Sequence, residues 1–360
     1  MNELVTLTKE VLGAFFLGGL LLGGISQRTH FCTMGAVSDV VNLGDWTRAR
    51  QWICAIGIAM IGFAALSDLG QIDPSKTLYA STRFMWLSSL VGGLIFGYGM
   101  VLTSGCGNKT LVRIGGGNLK SVVVFVVMGV SAFATLKGIT AVLRVNTVDT
   151  LFVDMPSGAS LMALGVPGLG YILGAALLLF VLWRKDFWTF ESLLAGLGVG
   201  SIIVAMWWVS GHLGFVPEHP ETLDAVYLAT SSGRIEAMNF VAPVAHTLDW
   251  LMFYSDQSKV LTVGVAAVAG VITGSAASAL LSKTFRWESF ANPRDLGQHL
   301  FGSVLMGVGG VTAMGCTVGQ GLSGLSTLSL NSCLALAAIV VGAVISLHHQ
   351  AARLERTTCA

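Results

Sequence analysis

The strongest constraint in this sequence is a series of apolar runs, each long enough to cross a bilayer as a helix. They lie near 10–26, 50–67, 84–103, 119–137, 167–183, 191–209, 259–281, 299–314 and 332–350, which predicts about nine transmembrane helices, the first and eighth short for a full crossing. Composition agrees, since 54% of the 360 residues are hydrophobic and only 11% are charged, well under the roughly 25% of soluble domains. Mean hydropathy is +0.75. The expected fold is an all-α integral membrane protein, one domain over 1–360, with the lipid bilayer as its surroundings. The opening MNELVTLTKE has no basic stretch and no small-residue cleavage site, so the first run reads as a retained helix. A net charge of +1 gives nucleic acid no bulk electrostatic attraction. Six scattered cysteines without CxxC spacing argue against a metal cluster or a disulfide framework, and no cofactor motif is present. The thiols are expected to be free.

Lys and Arg favour cytoplasmic loops. With the N-terminus outside, Arg28, Arg48, Arg50, Lys109, Arg113, Lys120, Arg184, Lys185, Lys283, Arg286, Arg294, Arg353 and Arg356 all fall inside, 13 of the 20 basic residues. Asp149, Asp154, Glu218, Glu221, Asp224, Glu236, Asp249 and Asp256 fall outside. The expected orientation is N-out, C-in. The long hydrophilic stretch from His212 to Asp249 reads as an outer loop with room for short helices of its own.

Two stretches repeat. GYGMVLTSGCGNKTL (97–111) aligns with GVGGVTAMGCTVGQG (307–321) at an offset of 210 residues, pairing Gly97 with Gly307, Gly99 with Gly309, Gly105 with Gly315 and Cys106 with Cys316; upstream, Gly92 pairs with Gly302. In the expected topology the two helices leading into these stretches run in opposite directions, so the repeats, near 10–145 and 165–350, are inverted. Inverted repeats place a substrate site near the midplane, built from broken or re-entrant segments.

The chemistry of the GC stretches points to an anion. Glycines admit close backbone approach, and a short helix starting there presents unpaired N–H groups and the positive end of its dipole. Gly105, Gly107, Asn108, Gly315, Thr317 and Gln320 surround Cys106 and Cys316, with Ser104, Thr110 and Ser323 nearby. A neutral S–H is a soft donor that meets a polarizable sulfur atom without adding negative charge. Lys109, Arg113 and Arg28 are either attractors of the anion at the inner mouth or topology anchors. GGISQRTHFCTMGAVSD (23–39) offers a third site with Cys32 at its tip, or a simple juxtamembrane loop; its counterpart would be WWVSGHLGF (207–215), which lacks a cysteine. Trp207, Trp208 and His212 read more simply as an interfacial belt. Cys54, Cys333 and Cys359 read as small buried hydrophobes. His30, Asp39 and His212 are the ionisable groups available for ion coupling.

RTHFCTMGA, SGCGNKTLVRIGGGN and MGCTVGQGLSG together resemble the YeeE/YedE family, the sulfur transport family that includes thiosulfate transporters of the TsuA type. The resemblance spans about 10–350. It implies an inverted-repeat fold in the bacterial inner membrane, re-entrant hairpins, and three cysteines that relay thiosulfate by S–H hydrogen bonds. By motif these are Cys32, Cys106 and Cys316. It also implies a cytoplasmic sulfur-carrier protein as partner. The function expected is therefore uptake of a sulfur-containing anion, first thiosulfate, in the order Cys316 then Cys106, with Cys32 not placed. Two alternatives stand beside it: carriage of another sulfur or selenium species, and a membrane-bound sulfurtransferase or thiol oxidoreductase using Cys106 as nucleophile.

Overall fold

The computed structural model describes residues 2–358 apart from 157, 165, 167, 185–186, 219, 221–222, 257–258 and 291. Lys185, Glu221 and Cys359, used in the sequence reading, lie outside the described residues. Seven described helical segments are long and apolar enough to cross a membrane: Glu3–Leu43, Thr47–Asp68, Trp86–Gly115, Leu119–Lys137, Phe190–Leu213, Val263–Leu281 and Leu330–Arg353. A shorter apolar helix, Leu169–Leu182, falls on the fifth expected run. Pro293–Thr312 falls on the eighth; its first turns carry Arg294 and Asp295, which lower its apolarity.

Two of the seven are interrupted. Glu3–Leu43 consists of α1 (Asn2–Thr29) and α2 (Thr33–Leu43), and Trp86–Gly115 of α4 (Trp86–Leu102) and α5 (Gly107–Gly115), with α3 (Thr47–Asp68) between them. Helix α6 (Leu119–Lys137) starts at Asn118, whose side chain accepts from the Ser121 N–H at 3.0 Å. Asn292 does the same for Asp295 at 2.8 Å, with Pro293 at the first helical position, where its missing N–H costs nothing. Two short two-stranded pairings accompany the helices: β1 (Arg83–Phe84) pairs antiparallel with β2 (Val153–Asp154), and β3 (Phe215–Val216) with β4 (Val226–Tyr227). The hydrophilic stretch also contains a helix, Ala242–Met252.

Small residues set the helix contacts, as expected where lipid removes the hydrophobic drive and close packing must supply the attraction. A Cβ added at Gly23 of α1 would overlap the Val271 carbonyl, and one at Gly274 the Leu20 carbonyl. Gly92 of α4 meets Gly309, and Gly99 meets Gly302, whose carbonyl oxygen would lie 2.7 Å from an added Cβ. Gly97 abuts the Ile339 carbonyl, and Gly307 the Met128 carbonyl of α6.

The burial pattern suits a bilayer. Leu17, Leu21, Val130, Leu179, Phe180 and Ile345 are exposed, while Ser26, Thr103, Asn108, Thr317, Ser323 and Ser326 are buried. One reading of the sequence is corrected here. Trp207 belongs to no interfacial belt: it is fully buried, edge-on to Phe63 at 5.2 Å, with its Nε1–H donating to Ser326 Oγ at 3.0 Å. Trp208 is partly exposed and stacks on His212 at 5.4 Å.

Candidate functional site

Three chain reversals of the same kind build the site. At the ends of α1, α4 and Pro293–Thr312 a residue with positive φ turns the backbone: His30 (φ 53), Ser104 (φ 56) and Met314 (φ 59). Each lies two residues before a cysteine. In the second reversal the N–H groups of Ser104 and Gly105 bond the carbonyls of Val101 (3.1 Å) and Met100 (2.9 Å); in the third, Met314 and Gly315 bond Val311 (3.0 Å) and Gly310 (2.8 Å). This closure satisfies helix-end carbonyls that would otherwise be orphaned.

The cysteine then starts a new short helix. Its carbonyl accepts the first helical bond, Ala36 N–H to Cys32 (2.9 Å), Thr110 N–H to Cys106 (2.9 Å) and Gln320 N–H to Cys316 (2.7 Å). The Cys316 sulfur accepts from the Gly319 N–H at 3.4 Å, and the equivalent N–H groups of Gly35 and Lys109 face the sulfurs of Cys32 and Cys106. All three thiols thus sit at the electropositive ends of short helices. Gly105 and Gly315 keep the turns tight, since an added Cβ would press on Cγ of Lys109 or of Gln320, both at 3.2 Å. Gly107 has ordinary room; its nearest neighbour would be the Phe240 carbonyl at 3.6 Å.

The three reversals converge. The Cys32 thiol faces the Cys106 thiol, and the Thr317 hydroxyl is also beside Cys106. Cys106, Cys316 and Thr317 are fully buried. Beside each cysteine is a buried polar atom with no hydrogen-bond partner of proper geometry among the described residues: Thr33 Oγ1, Asn108 Oδ1 and Thr317 Oγ1. Native interiors rarely leave such atoms unpaired, so three of them beside the three thiols make this a candidate ligand site. Asn108 Nδ2 donates weakly to Ser26 Oγ at 3.4 Å; half a turn of the amide would let Ser26 donate to Oδ1 and aim the NH₂ at the site. Gln320 is committed elsewhere, with Nε2 on the Ala313 carbonyl (2.6 Å) and Oε1 accepting from Ser332 Oγ (2.5 Å). It holds the third turn shut.

Cavities approach the cluster from two ends. One, of about 440 Å³, is lined by His30, Cys32, Arg48, Lys109, Arg113 and Arg286 with Glu288 as its one acid among the described lining residues. Arg48 is paired with Asp39 at 3.2 Å, which commits Asp39 to an ion pair. The other cavity, about 430 Å³, is lined by Ser75, Thr77, Tyr79, Ser81, Thr82 and Thr327 among others, with no charged side chain among the described lining residues. Helix α3, 22 residues or about 33 Å long, carries Arg48 of the first cavity in its first turn and ends at Asp68, six residues before the second cavity's Pro74. Arg28 is absent from the basic cavity; its guanidinium lies over the Phe190 ring at 5.4 Å.

A segment the sequence reading passed over completes the site. Asn239 Oδ1 accepts from the N–H groups of Phe240 (2.7 Å) and of Cys316 (3.5 Å), and the Ser323 hydroxyl donates to the Met238 carbonyl at 2.8 Å. The Phe240 N–H faces the Cys316 sulfur. Tyr79 Oη lies 3.3 Å from where a Cβ on Gly319 would sit. The expected counterpart of the Cys32 turn at 207–215 is instead a continuing helix with a π turn at Val209–Leu213, and Asn239–Val241 approaches Cys316 in its place. Arg48 and Arg286 were read only as topology markers. Cys54 packs on Val181 and Phe187, as a small hydrophobe does; among the described residues five cysteines are free.

Residues 28–345 match the sequence profile of a family described as sulphur transport. The chain is 28% identical over 336 residues to the thiosulfate transporter TsuA of Escherichia coli, covering 90% of each chain. It is 26% identical over 342 residues to the thiosulfate transporter TsuA of Spirochaeta thermophila, covering 91% of this chain and 95% of that one. A shorter match, 28% over 112 residues, links 31% of the chain to 26% of the probable transporter YedE of Escherichia coli.

Proposed function

The chain belongs to the sulphur transport family, and from that premise we propose that it carries thiosulfate across the bacterial inner membrane into the cytoplasm along a path of three thiols. The coarser statement stands by itself: this is a multi-pass membrane transporter of a sulfur-containing anion, not an enzyme. The observation that carries the finer reading is the convergence of Cys32, Cys106 and Cys316 at three helix starts, each beside an unpaired buried polar atom. The uncharged cavity at Tyr79 receives the ion; Cys316, Cys106 and then Cys32 pass it inward; the basic cavity releases it. Cys32, unplaced in sequence, takes the last position because it lines the basic cavity. Neutral S–H donors suit a dianion whose terminal sulfur is soft and polarizable.

The same reading takes nine crossings, N-out and C-in, with the basic cavity cytoplasmic, and two inverted repeats. Helix contacts support the repeats. Gly92 and Gly302 are equivalent at offset 210, as are Gly99 and Gly309, and the pairs in contact are Gly92 with Gly309 and Gly302 with Gly99. That reciprocity is what a two-fold axis generates, and its antiparallel sense puts the axis in the membrane plane. Gly97 on Ile339 and Gly307 on Met128 repeat the pattern at offset 211; the π helix Gly319–Gly324 accommodates the extra residue. A cytoplasmic protein that accepts sulfur from the ion would draw it inward.

The test is uptake of labelled thiosulfate into proteoliposomes, with sulfate, sulfite and selenite as competitors. Wild-type protein accumulates thiosulfate, and a folded Cys106→Ala variant loses uptake. A folded variant lacking both Cys106 and Cys316 that transports at the wild-type rate rejects the relay, and failure of thiosulfate to enter or compete rejects the substrate.

A further inference from the structure

Glu236 is a buried acid that the thiol path does not use. Its residue is 8% exposed, and no described Lys, Arg or His forms an ion pair with it. Its carboxylate accepts from Ser231 Oγ at 3.0 Å and from the Ser232 N–H at 2.8 Å, and its own N–H donates to Ser210 Oγ at 3.0 Å. The cationic groups on the surrounding elements are directed elsewhere. Arg234 donates to the Ala80 carbonyl at 2.8 Å, and His212 stacks on Trp208. Lys76 contributes its backbone carbonyl to the Ile235 N–H and its side chain to a separate cavity with Asp73 and Tyr227. On the side of the transport path stands Tyr79, in the field of both Cys316 and Glu236. Three residues further along its own segment, Asn239 holds the Cys316 N–H.

A buried carboxylate without a cation is costly in its charged form. Burial accordingly pushes the Glu236 carboxyl above the usual carboxylate range, against the pull of the Ser232 and Ser231 donors. A dianion arriving at Cys316 adds like charge to the same low-dielectric region and favours the protonated acid further. By linkage the converse holds: a protonated Glu236 makes the anion more welcome.

We infer that Glu236 is a proton-binding site coupled to the anion path, taking up a proton as the dianion reaches Cys316, so that the transporter binds anion and proton together. The inference rests on the transport reading above. Tyr79, held protonated by its burial, stays a neutral hydroxyl between the two sites.

The test uses full-length protein in detergent micelles in weakly buffered solution, with thiosulfate titrated in and proton uptake followed by an indicator dye. Affinity is measured by calorimetry from about pH 6 to about pH 8, a range over which thiosulfate itself does not titrate. Wild type takes up protons as it binds the anion, as much as one each, and its affinity falls as pH rises, by up to about tenfold per pH unit where uptake reaches one proton. Glu236→Gln binds thiosulfate with little dependence on pH and no proton uptake. Ser231→Ala removes one donor to the carboxylate, raises its proton affinity, and moves the fall in thiosulfate affinity to higher pH. Undiminished proton uptake in Glu236→Gln, or anion binding by wild type with no proton uptake, overturns the coupling while leaving the carrier intact. Absence of wild-type binding at every pH overturns the transport reading itself.

Discussion

Thr317→Val separates the cost of an unpaired hydroxyl from its use. Thr317 is fully buried and its Oγ1 has no hydrogen-bond partner of proper geometry among the described residues, although it lies beside the Cys106 thiol. An unsatisfied buried polar group costs about 1–3 kcal/mol, and a hydrogen bond to a charged partner contributes about 1.5–3 kcal/mol. Valine has nearly the same shape and the same χ1 stiffness, so the substitution removes the hydroxyl and little else. The ligand-free variant should therefore gain about 1–2 kcal/mol of stability and melt higher than wild type. In the complex the lost donor should weaken thiosulfate binding roughly 10- to 150-fold. Thermal melting without ligand and calorimetric titration with thiosulfate read the two effects separately. Their opposite signs are the point. A variant that melts lower, or that binds thiosulfate as tightly as wild type, would show that the hydroxyl has a structural partner and does not meet the ion.

Other expectations follow from the packing and charges. Gly97→Ala and Gly307→Ala press a methyl group onto the Ile339 and Met128 carbonyls, so each should cost about 1–3 kcal/mol; melts in which only one is destabilised contradict the two-fold reading. Arg113→Gln, in the basic cavity, should lower thiosulfate affinity at the cytoplasmic face, which inside-out vesicles expose to the bath, and flatten its salt dependence; an unchanged salt slope makes Arg113 a topology anchor only. Because the folded-state pKa of Glu236 is raised, its contribution to stability is full below the unfolded pKa and is lost as pH rises through the folded one. Wild type should therefore melt progressively lower on that ascent, and Glu236→Gln should remove this part of the slope.

Seven of the nine expected crossings, and the turns that carry Cys106 and Cys316, were legible because their signals are local. A run of about 20 apolar residues has few uses outside a bilayer, and the paired GC stretches stand at the ends of such runs. The convergence of Cys32 with Cys106 was not legible, since it depends on how α2 and α5 fold back into the interior. Asn239 and Glu236 looked like ordinary loop polarity; only the buried path of 235–241 against Tyr79 and Cys316 gives them a setting. Trp207 misled because tryptophan beside a membrane run suggests an interface, whereas here Ser326 supplies the polar partner a buried indole needs. Arg28 misled for the opposite reason: its charge suits the inner mouth, but the Phe190 ring holds it elsewhere. The alignment of 97–111 with 307–321 ends inside the π helix Gly319–Gly324, whose wider turn is visible only in the hydrogen bonding.

The electrostatics of the path bear on why a buried acid should lie along it. Moving one charge across 100 mV is worth about 2.3 kcal/mol. A dianion entering a cell interior negative by that amount is opposed by about 4.6 kcal/mol, which would hold its internal concentration roughly 2,000-fold below the outside at equilibrium. Under the proposed relay, three neutral thiols would lower the barrier at the centre of the membrane but leave this difference untouched, because a path cannot alter the free energies at its ends. Each proton that accompanies the ion cancels one charge and removes about 2.3 kcal/mol of the opposition, a gain of about 50-fold. Consumption of the ion on the cytoplasmic side removes the opposition in another way, by keeping the internal concentration low. The two routes differ in what they require of the protein: coupling needs a group whose charge changes as the ion passes, and consumption needs none. The cysteines serve as neutral donors in this mechanism; of the two buried acids among the described residues, Asp249 is paired with Lys259 at 2.6 Å, and Glu236, unpaired with any described cation and in electrostatic contact with Tyr79 beside Cys316, is the acid placed to supply that change.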